Sequence, residues 1–246
     1  MQGSFESQLN RTKIPRHIGF IMDGNGRWAK AQGQPRVFGH RAGVETVREV
    51  VRMSAEYGVE VITLYAFSTE NWSRPAAEVT ALMGLFLSAL DREIDELDRS
   101  GVRIRFVGDL SALPEVNRKS ALAAQERTAG NTGLQLNLAI NYGSRAELTR
   151  AVKMIAERVQ SGQVDAEAID EKMIADFLYT HDQPDLDLII RTAGEMRLSN
   201  FLLFQAAYAE FYATDVYWPD FDREEYARAL LAFAARSRRF GGLENR

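Results

Sequence analysis

Residues 59–67 (VEVITLYAF) constrain the fold of this chain more than any other stretch. The run has strand length, is rich in β-branched and aromatic residues, and is apolar enough to be buried on both faces. A sheet covered on both faces is built from strand–helix–strand crossovers, and the remaining chain supplies the helices. Val44, Val47, Val50, Val51 and Met53 keep helical spacing from about residue 41 up to Tyr57-Gly58, where the glycine suits the position after a helix end. Further strands are predicted at 18–22, 102–107 (VRIRFV), 134–140 (LQLNLAI), 186–191 (LDLIIR) and 214–217. Helices are predicted at about 76–100, 114–129, up to 160, 166–178, 200–208 and 222–238. Strands and helices alternating in this way imply an α/β single domain with a central, mostly parallel six-stranded sheet flanked by helices.

No composition break or linker divides the 246 residues. We expect a flexible N-terminal tail over 1–16 and one folded domain over 17–246. A net charge of −4 excludes a nucleic-acid binder that works by bulk electrostatics. Zero cysteines exclude disulfides and thiolate metal sites and agree with a reducing compartment. The polar first residues lack the apolar core of a signal peptide, and charge interrupts every apolar stretch short of a membrane span. The expectation is a soluble, cytoplasmic protein.

In parallel sheets the C-terminal strand ends share one edge, where ligands bind. Asp23 and Gly24, residues 68–74, Asp109, residues 141–145 and residues 191–199 all follow predicted strand ends, so they should converge on one rim. In the first of these turns, Gly24-Asn25-Gly26 lets backbone N–H groups approach an anion, and Arg27 adds a charged fork. The stretch is neither a dinucleotide fingerprint nor a P-loop, and on these residues alone a tight strand-to-helix turn is an equal reading. Asp23 beside such a cradle is repulsive unless a cation, Mg²⁺ by preference, bridges the two. Arg36 and His40 extend the same anion site. Arg191, Arg197 and Ser199 surround Gly194 and suit a diphosphate, since arginine binds phosphate oxygens bidentately; the alternative is surface pairing with Asp187 and Glu195, with Ser199 as a helix cap. Asn71, Trp72 and Arg74 are costly residues for a plain connector, although a capped helix entry anchored by the tryptophan would also use them. In the long helix after Pro75, Val79, Leu82, Met83, Phe86, Leu87, Leu90, Ile94 and Leu97 form one stripe, which serves core packing or the wall of an apolar tunnel. Two diphosphate sites without a nucleophile triad suggest transfer between two phosphorylated substrates.

Taken together, His17-IGFIMDGNGRWA, Phe67-STENWSRP followed by Glu78, Asn137-x-x-x-Asn-Tyr-Gly143, Arg191-TAGEMRLSNFLLFQ with AYAE and Tyr212, and Trp218-Pro-Asp-Phe221 resemble the signature blocks of cis-prenyltransferases. The nearest likeness is to the bacterial undecaprenyl diphosphate synthase group, with the blocks in family order from residue 17 to about 240. The resemblance implies a homodimer with a hydrophobic tunnel beneath the rim. It implies repeated addition of isopentenyl diphosphate to an allylic diphosphate, typically farnesyl diphosphate, with Mg²⁺ as cofactor, for a cell-wall lipid carrier. By position, Asp23 resembles the essential aspartate that organises Mg²⁺ and the leaving diphosphate. Gly24, Asn25, Gly26, Arg27, Arg36 and His40 resemble the allylic site, and Arg191, Arg197 and Ser199 the isopentenyl site. Glu210 resembles a second acidic residue near the metal, supplied by the dimer partner. Asn71 resembles the residue implicated in proton removal, with Ser68 nearby, while Trp28, Trp72 and Arg74 join the substrate-binding set and Trp72 and Glu78 belong to a closing loop. The family also implies transient membrane contact for product release.

Ala193 and Met196 stand where the family often has Ser and Gln, Ile140 where a small residue is common, and Ser144 where Gly is usual. The first two flank the diphosphate loop, and Ile140 bears on product length. Two other readings stay open: a short- or medium-chain cis-prenyl diphosphate synthase, and a non-catalytic partner subunit of the same family.

Overall fold

The computed structural model describes residues 13–236. Most of the expected tail, and the expected end of the last helix beyond 236, lie outside the described residues.

The six strands form a single sheet in which every neighbouring pair is parallel. They are β1 (His17–Ile21), β2 (Val61–Ser68), β3 (Arg103–Val107), β4 (Gln135–Tyr142), β5 (Leu188–Arg191) and β6 (Glu210–Ala213), in the order β3-β4-β2-β1-β5-β6. The helices are α1 (Asn25–Ala31), α2 (Arg36–Tyr57), α3 (Ala76–Arg99), α4 (Glu115–Arg127), α5 (Ser144–Gln160), α6 (Glu171–Asp176) and α7 (Arg223–Ala234).

Alternate residues of the strands feed two cores, as the period of two in a strand requires. Ile18 and Phe20, Ile62 and Leu64, and Leu188 and Ile190 join the larger core, which packs under α2, α3, α4 and α7. Ile21, Ala139 and Ile189 join the smaller core on the other face, with Tyr142, Phe201 and Leu202. Phe20 anchors the larger core, meeting Trp218, Phe221 and Tyr226 edge-on at 6.0, 6.2 and 5.6 Å between ring centroids, the geometry that aromatic quadrupoles favour.

The structure departs from the sequence expectations at five points. Residues 25–31 form a helix that no apolar periodicity announces, and α2 begins at Arg36 rather than near 41. Gly39 and Gly43 break the α2 pattern because α1 lies against them: a Cβ on Gly39 would stand 1.9 Å from the Asn25 carbonyl oxygen. The sixth strand is 210–213, not 214–217; the latter segment is held by backbone bonds from Ala193 N to the Val216 carbonyl and from Gly194 N to the Thr214 carbonyl, both 2.8 Å. Residues 200–208, expected as a helix, form turns, because Asn200 and Leu202 have left-handed φ of 62° and 45°. Finally, 166–178 splits into a short 3-10 turn (Ala166–Ala168) and α6, which Asp170 caps by accepting from Met173 N.

Candidate active site

The strand ends meet as expected. Ile21 of β1 is paired with Arg191 of β5, which is paired with Ala213 of β6, and Ser68 of β2 is level with Tyr142 of β4. The loops that follow these residues open on one rim.

Asp23 is fastened at that rim through its backbone. Its N–H donates to Thr192 Oγ1 at 2.9 Å, the Thr192 hydroxyl donates back to the Asp23 carbonyl at 2.7 Å, and Trp218 N donates to the same carbonyl at 3.0 Å. The carboxylate itself accepts from Arg191 Nη2 at 2.9 Å and from Gly24 N at 3.0 Å. Arg191 is buried, with its side chain 3% exposed against 36% for Asp23. Its other terminal nitrogen donates to Ser199 Oγ at 2.7 Å and to the Arg197 carbonyl. The sequence alternative of an Arg191–Asp187 pair is not what forms; Asp187 instead accepts from the backbone of Arg16 at 2.6 Å.

Two carboxylates each hold a pair of arginines. Glu195 accepts from Arg27 at 3.1 Å and from Arg197, bringing the loop after β1 to the loop after β5. Glu78 lies 3.0 Å from Arg74 and 3.8 Å from Arg36, joining the loop after β2 to the start of α2. Each cluster carries one more positive than negative charge, and an incoming anion meets donors already in place. His40 lies among Arg74, Arg36 and Glu78, and burial, with help from the two guanidiniums, lowers its pKa to about 4. Its Nε2 and the Nε of Arg191 are buried with no protein partner among the described residues. Donors and acceptors left so beneath a rim are what a bound anion or water satisfies.

Gly24 closes the turn with a left-handed φ of 99°, and a Cβ there would meet the Tyr217 ring at 2.7 Å, so no other residue fits without strain. Gly26 leaves room for the Arg36 guanidinium, whose carbon is 3.2 Å from where a Cβ would stand. Trp28 donates to Asp220 at 2.7 Å and stacks on Phe38. The loop after β2 forms a 3-10 turn (Thr69–Ser73) closed by a capping box: Ser68 N donates to Asn71 Oδ1 at 3.1 Å, and the Ser68 side chain accepts in return. Trp72 anchors this turn by donating to Asn141 Oδ1 at 2.7 Å.

Beneath the rim lies a cavity of about 780 Å³ between the sheet and α2 and α3. Its mouth is lined by Asp23, Asn25, His40, Ser68, Asn71, Arg74, Arg191, Arg197 and Ser199. Its depth is apolar, with Leu64, Leu136, Leu138 and Ile140 from the sheet facing valines of α2 and the α3 stripe. Gly24, Gly26, Arg27, Trp28, Arg36 and Trp72 stand beside this mouth through the contacts given above. Glu210 does not join them. It begins β6, about 10 Å below Ala213 at the usual strand rise, and pairs with Arg236 at 2.6 Å.

Three residues that shape the rim were given no individual role by the sequence. Thr192 ties the two loops together, and Glu70 accepts from Asn200 Nδ2 at 2.9 Å across the cavity mouth, which both residues line. Thr192 and Asn200 sit inside the 191–205 block and Glu70 in the 67–75 block, and Thr192 and Glu70 also fall in segments expected at the rim.

Among the described residues no group of three or more His, Cys, Asp or Glu side chains could hold a metal. Asp23 nonetheless fits Mg²⁺, which commonly takes one or two carboxylates and completes its shell with water and substrate phosphate oxygens. Among the described residues no helix is long and apolar enough to cross a membrane.

Residues 21–241 match the prenyltransferase family model described as undecaprenyl diphosphate synthase. The chain is 51% identical to an isoprenyl transferase of Clostridium perfringens, over 99% of this chain and 96% of that protein. It is 53% identical to the ditrans,polycis-undecaprenyl-diphosphate synthase ((2E,6E)-farnesyl-diphosphate specific) of Escherichia coli, over 93% and 90%. Among solved structures, lavandulyl diphosphate synthase from Lavandula x intermedia, in complex with dimethylallyl diphosphate, superimposes with a TM-score of 0.91 at 33% identity, covering 94% of this chain and all of that one (100%). A probable undecaprenyl diphosphate synthase from Campylobacter jejuni gives 0.77 at 32% identity, over 93% and 99%.

Proposed function

The chain belongs to the undecaprenyl diphosphate synthase family of isoprenyl transferases, and from that premise we propose that it adds isopentenyl diphosphate repeatedly to farnesyl diphosphate, giving a long cis-polyprenyl diphosphate. The observation that carries this reading is one cavity with a mouth of arginines and an apolar depth, since the reaction joins two diphosphates and stores a growing hydrocarbon.

The residue roles follow from their positions. The loop from Gly24 to Arg27, with Arg36 and His40, holds the allylic diphosphate, and Arg191, Arg197 and Ser199 hold the isopentenyl diphosphate. In each condensation the allylic C–O bond breaks and its electron pair leaves with the diphosphate. The double bond of isopentenyl diphosphate supplies the pair for the new C–C bond, and a proton is lost to form the new cis double bond. Fixed guanidinium and backbone donors stabilise the charge that develops on the leaving group, and the apolar walls shelter the allylic cation. Asp23 would hold Mg²⁺, which supplies further neutralisation of the departing diphosphate. Arg191 orients the Asp23 carboxylate from below. Ser68 and Asn71 stand at the mouth where the proton leaves, and Trp72 and Arg74 close the loop over the substrates.

A homodimer accompanies this reading. Glu210 lies at the far end of β6 from its own Asp23, so a role near the metal requires Glu210 to come from a second copy. We place the enzyme in the cytoplasm, with transient membrane contact as the product departs. The test is incubation of purified protein with farnesyl diphosphate, labelled isopentenyl diphosphate and Mg²⁺: extended products are expected, and no turnover would sink the reading.

A further inference from the structure

The apolar wall of the cavity contains one pair of charges. On α2 the residues facing the cavity include Val44, Arg48 and Val51, and on α3 Leu90, Glu93 and Leu97. These spacings of three and four place Arg48 and Glu93 within the apolar stripes rather than beside them. The two meet across the helices as a double ion pair, one arm from Arg48 Nε to Glu93 Oε2 at 2.7 Å. Glu93 is mostly covered, its side chain 15% exposed, and Arg48 is 37% exposed. Stability is a poor explanation for the pair, because an ion pair with one member this exposed contributes little. Arg92 with Glu45 at 2.7 Å also joins α2 to α3 on the outside, and it is linked to the first pair by Arg48 with Glu45 at 2.8 Å and Arg92 with Glu93 at 2.7 Å.

Depth gives the pair a use. Both helices run down from the rim, where Arg36 and Glu78 lie 3.8 Å apart. Arg48 is about 18 Å further along α2 and Glu93 about 22 Å further along α3, at the usual helical rise. The wall above them is apolar, so an isoprenoid chain lengthening from the mouth moves down until it reaches these ions.

We propose that the Arg48–Glu93 pair helps to set product length. The proposal rests on the polyprenyl reading above. A hydrocarbon tail that reaches the pair must lie against charged groups and strip their water, or separate them; either disfavours the next condensation relative to release. The pair therefore slows elongation without touching the reacting atoms, and it leaves the first condensation alone.

The test replaces the pair by Arg48→Met with Glu93→Leu, which keeps the Arg92–Glu45 bridge. Two readouts are needed: the rate of the first condensation on farnesyl diphosphate at limiting isopentenyl diphosphate, and the chain lengths of the dephosphorylated products. The first rate should stay within about twofold of the parent, showing that the transition state of the chemical step is intact, while the products lengthen by at least one isoprene unit. Arg48→Lys, which preserves the charge, should keep the parent's product lengths. If the double variant does not fold, Arg48→Gln with Glu93→Gln, neutral and close in shape, must lengthen the products instead. Unchanged or shorter products with a normal first condensation would overturn the proposal, as would equal lengthening by Arg48→Lys. Absence of any product from the parent protein would overturn the enzyme reading instead, so the two failures are distinguishable.

Discussion

Replacing Asp23 by alanine separates the role of its side chain in folding from its role in chemistry. The backbone bonds of Asp23 to Thr192 and Trp218 survive the change. What is lost is the acceptor for Gly24 N and the carboxylate that pairs with Arg191. Removing one partner of a fully buried ion pair costs about 3–5 kcal/mol, but Asp23 is 36% exposed and therefore partly screened by solvent, and Arg191 keeps Ser199 and the Arg197 carbonyl as acceptors. The discounted cost is about 1–2 kcal/mol, which lowers the melting midpoint of a chain this size by about 2–8 °C. The chemical loss should be far larger. Without the carboxylate that anchors Mg²⁺ at the leaving group, a fall of about 10³-fold or more is expected, equivalent to about 4 kcal/mol of transition-state stabilisation. Initial rates of the first condensation at saturating farnesyl diphosphate, set beside a thermal melt, measure both quantities. Asp23→Asn is the control, because an amide oxygen can still accept from Arg191: it should recover most of the stability and little of the activity. An alanine variant within tenfold of the parent rate would refute the metal-anchor role, and one that fails to fold would return Asp23 to a purely structural turn.

Three further outcomes follow from the same geometry. Gly39→Ala places a Cβ 1.9 Å from the Asn25 carbonyl oxygen; two helices packed this closely cannot part without disturbing the turn after Asp23, so chemical denaturation should show a loss of about 3 kcal/mol or more. Chelation of divalent cations should abolish turnover, and Mg²⁺ restore it, with the melting midpoint unchanged, since no cluster of ligands among the described residues depends on a metal. Burial lowers the pKa of both His17 and His40 from 6.5 to about 4 in the folded chain. Between these values the unfolded state binds more protons, so the contribution of the two neutral rings is complete above about pH 6.5 and is lost as pH falls toward 4; urea midpoints measured from pH 7 to 4.5 should decline, and His17→Asn should flatten the decline.

The central strands were legible because burial on both faces leaves a strong compositional trace: 59–67 became β2 and 134–140 became β4 within one or two residues. The rim followed from the parallel topology alone, which puts the loops after β1, β2, β4 and β5 on one edge whatever their sequences. The misread elements share a physical cause, in that distant packing overrode local preference. In α1, Gly-Asn-Gly reads as a turn, yet the helix forms because Gly39 lets it lie against α2. The β-branched residues after 213 suggest a strand, yet they serve as a support for Ala193 and Gly194, and β6 takes the half-buried stretch before them. Glu93 and Arg48 were visible as charges, but only the cavity shows that they interrupt apolar stripes.

The diphosphate loop after β5 is the extreme case, and it shows where the rim gets its shape. Ala193, Ser199, Asn200 and Leu202 all have left-handed φ, a conformation that side chains other than Gly, Asn and Asp adopt at a cost. Local preference favours it only at Asn200. It is held by Phe201 and Leu202, both fully buried in the smaller core on the face of the sheet away from the cavity. Phe201 stacks on Tyr65 with ring centroids 4.5 Å apart and lies over Gly19, where a Cβ would stand 2.9 Å from the ring. Asn200 completes the hold, its side chain accepting from Arg145 N at 2.9 Å and its carbonyl from Ser144 N at 2.8 Å. Ser199 and Arg197 are thus presented to the mouth by residues packed on the opposite face of the sheet. Affinity for the second diphosphate therefore depends on how tightly that smaller core is packed, although none of its residues is charged.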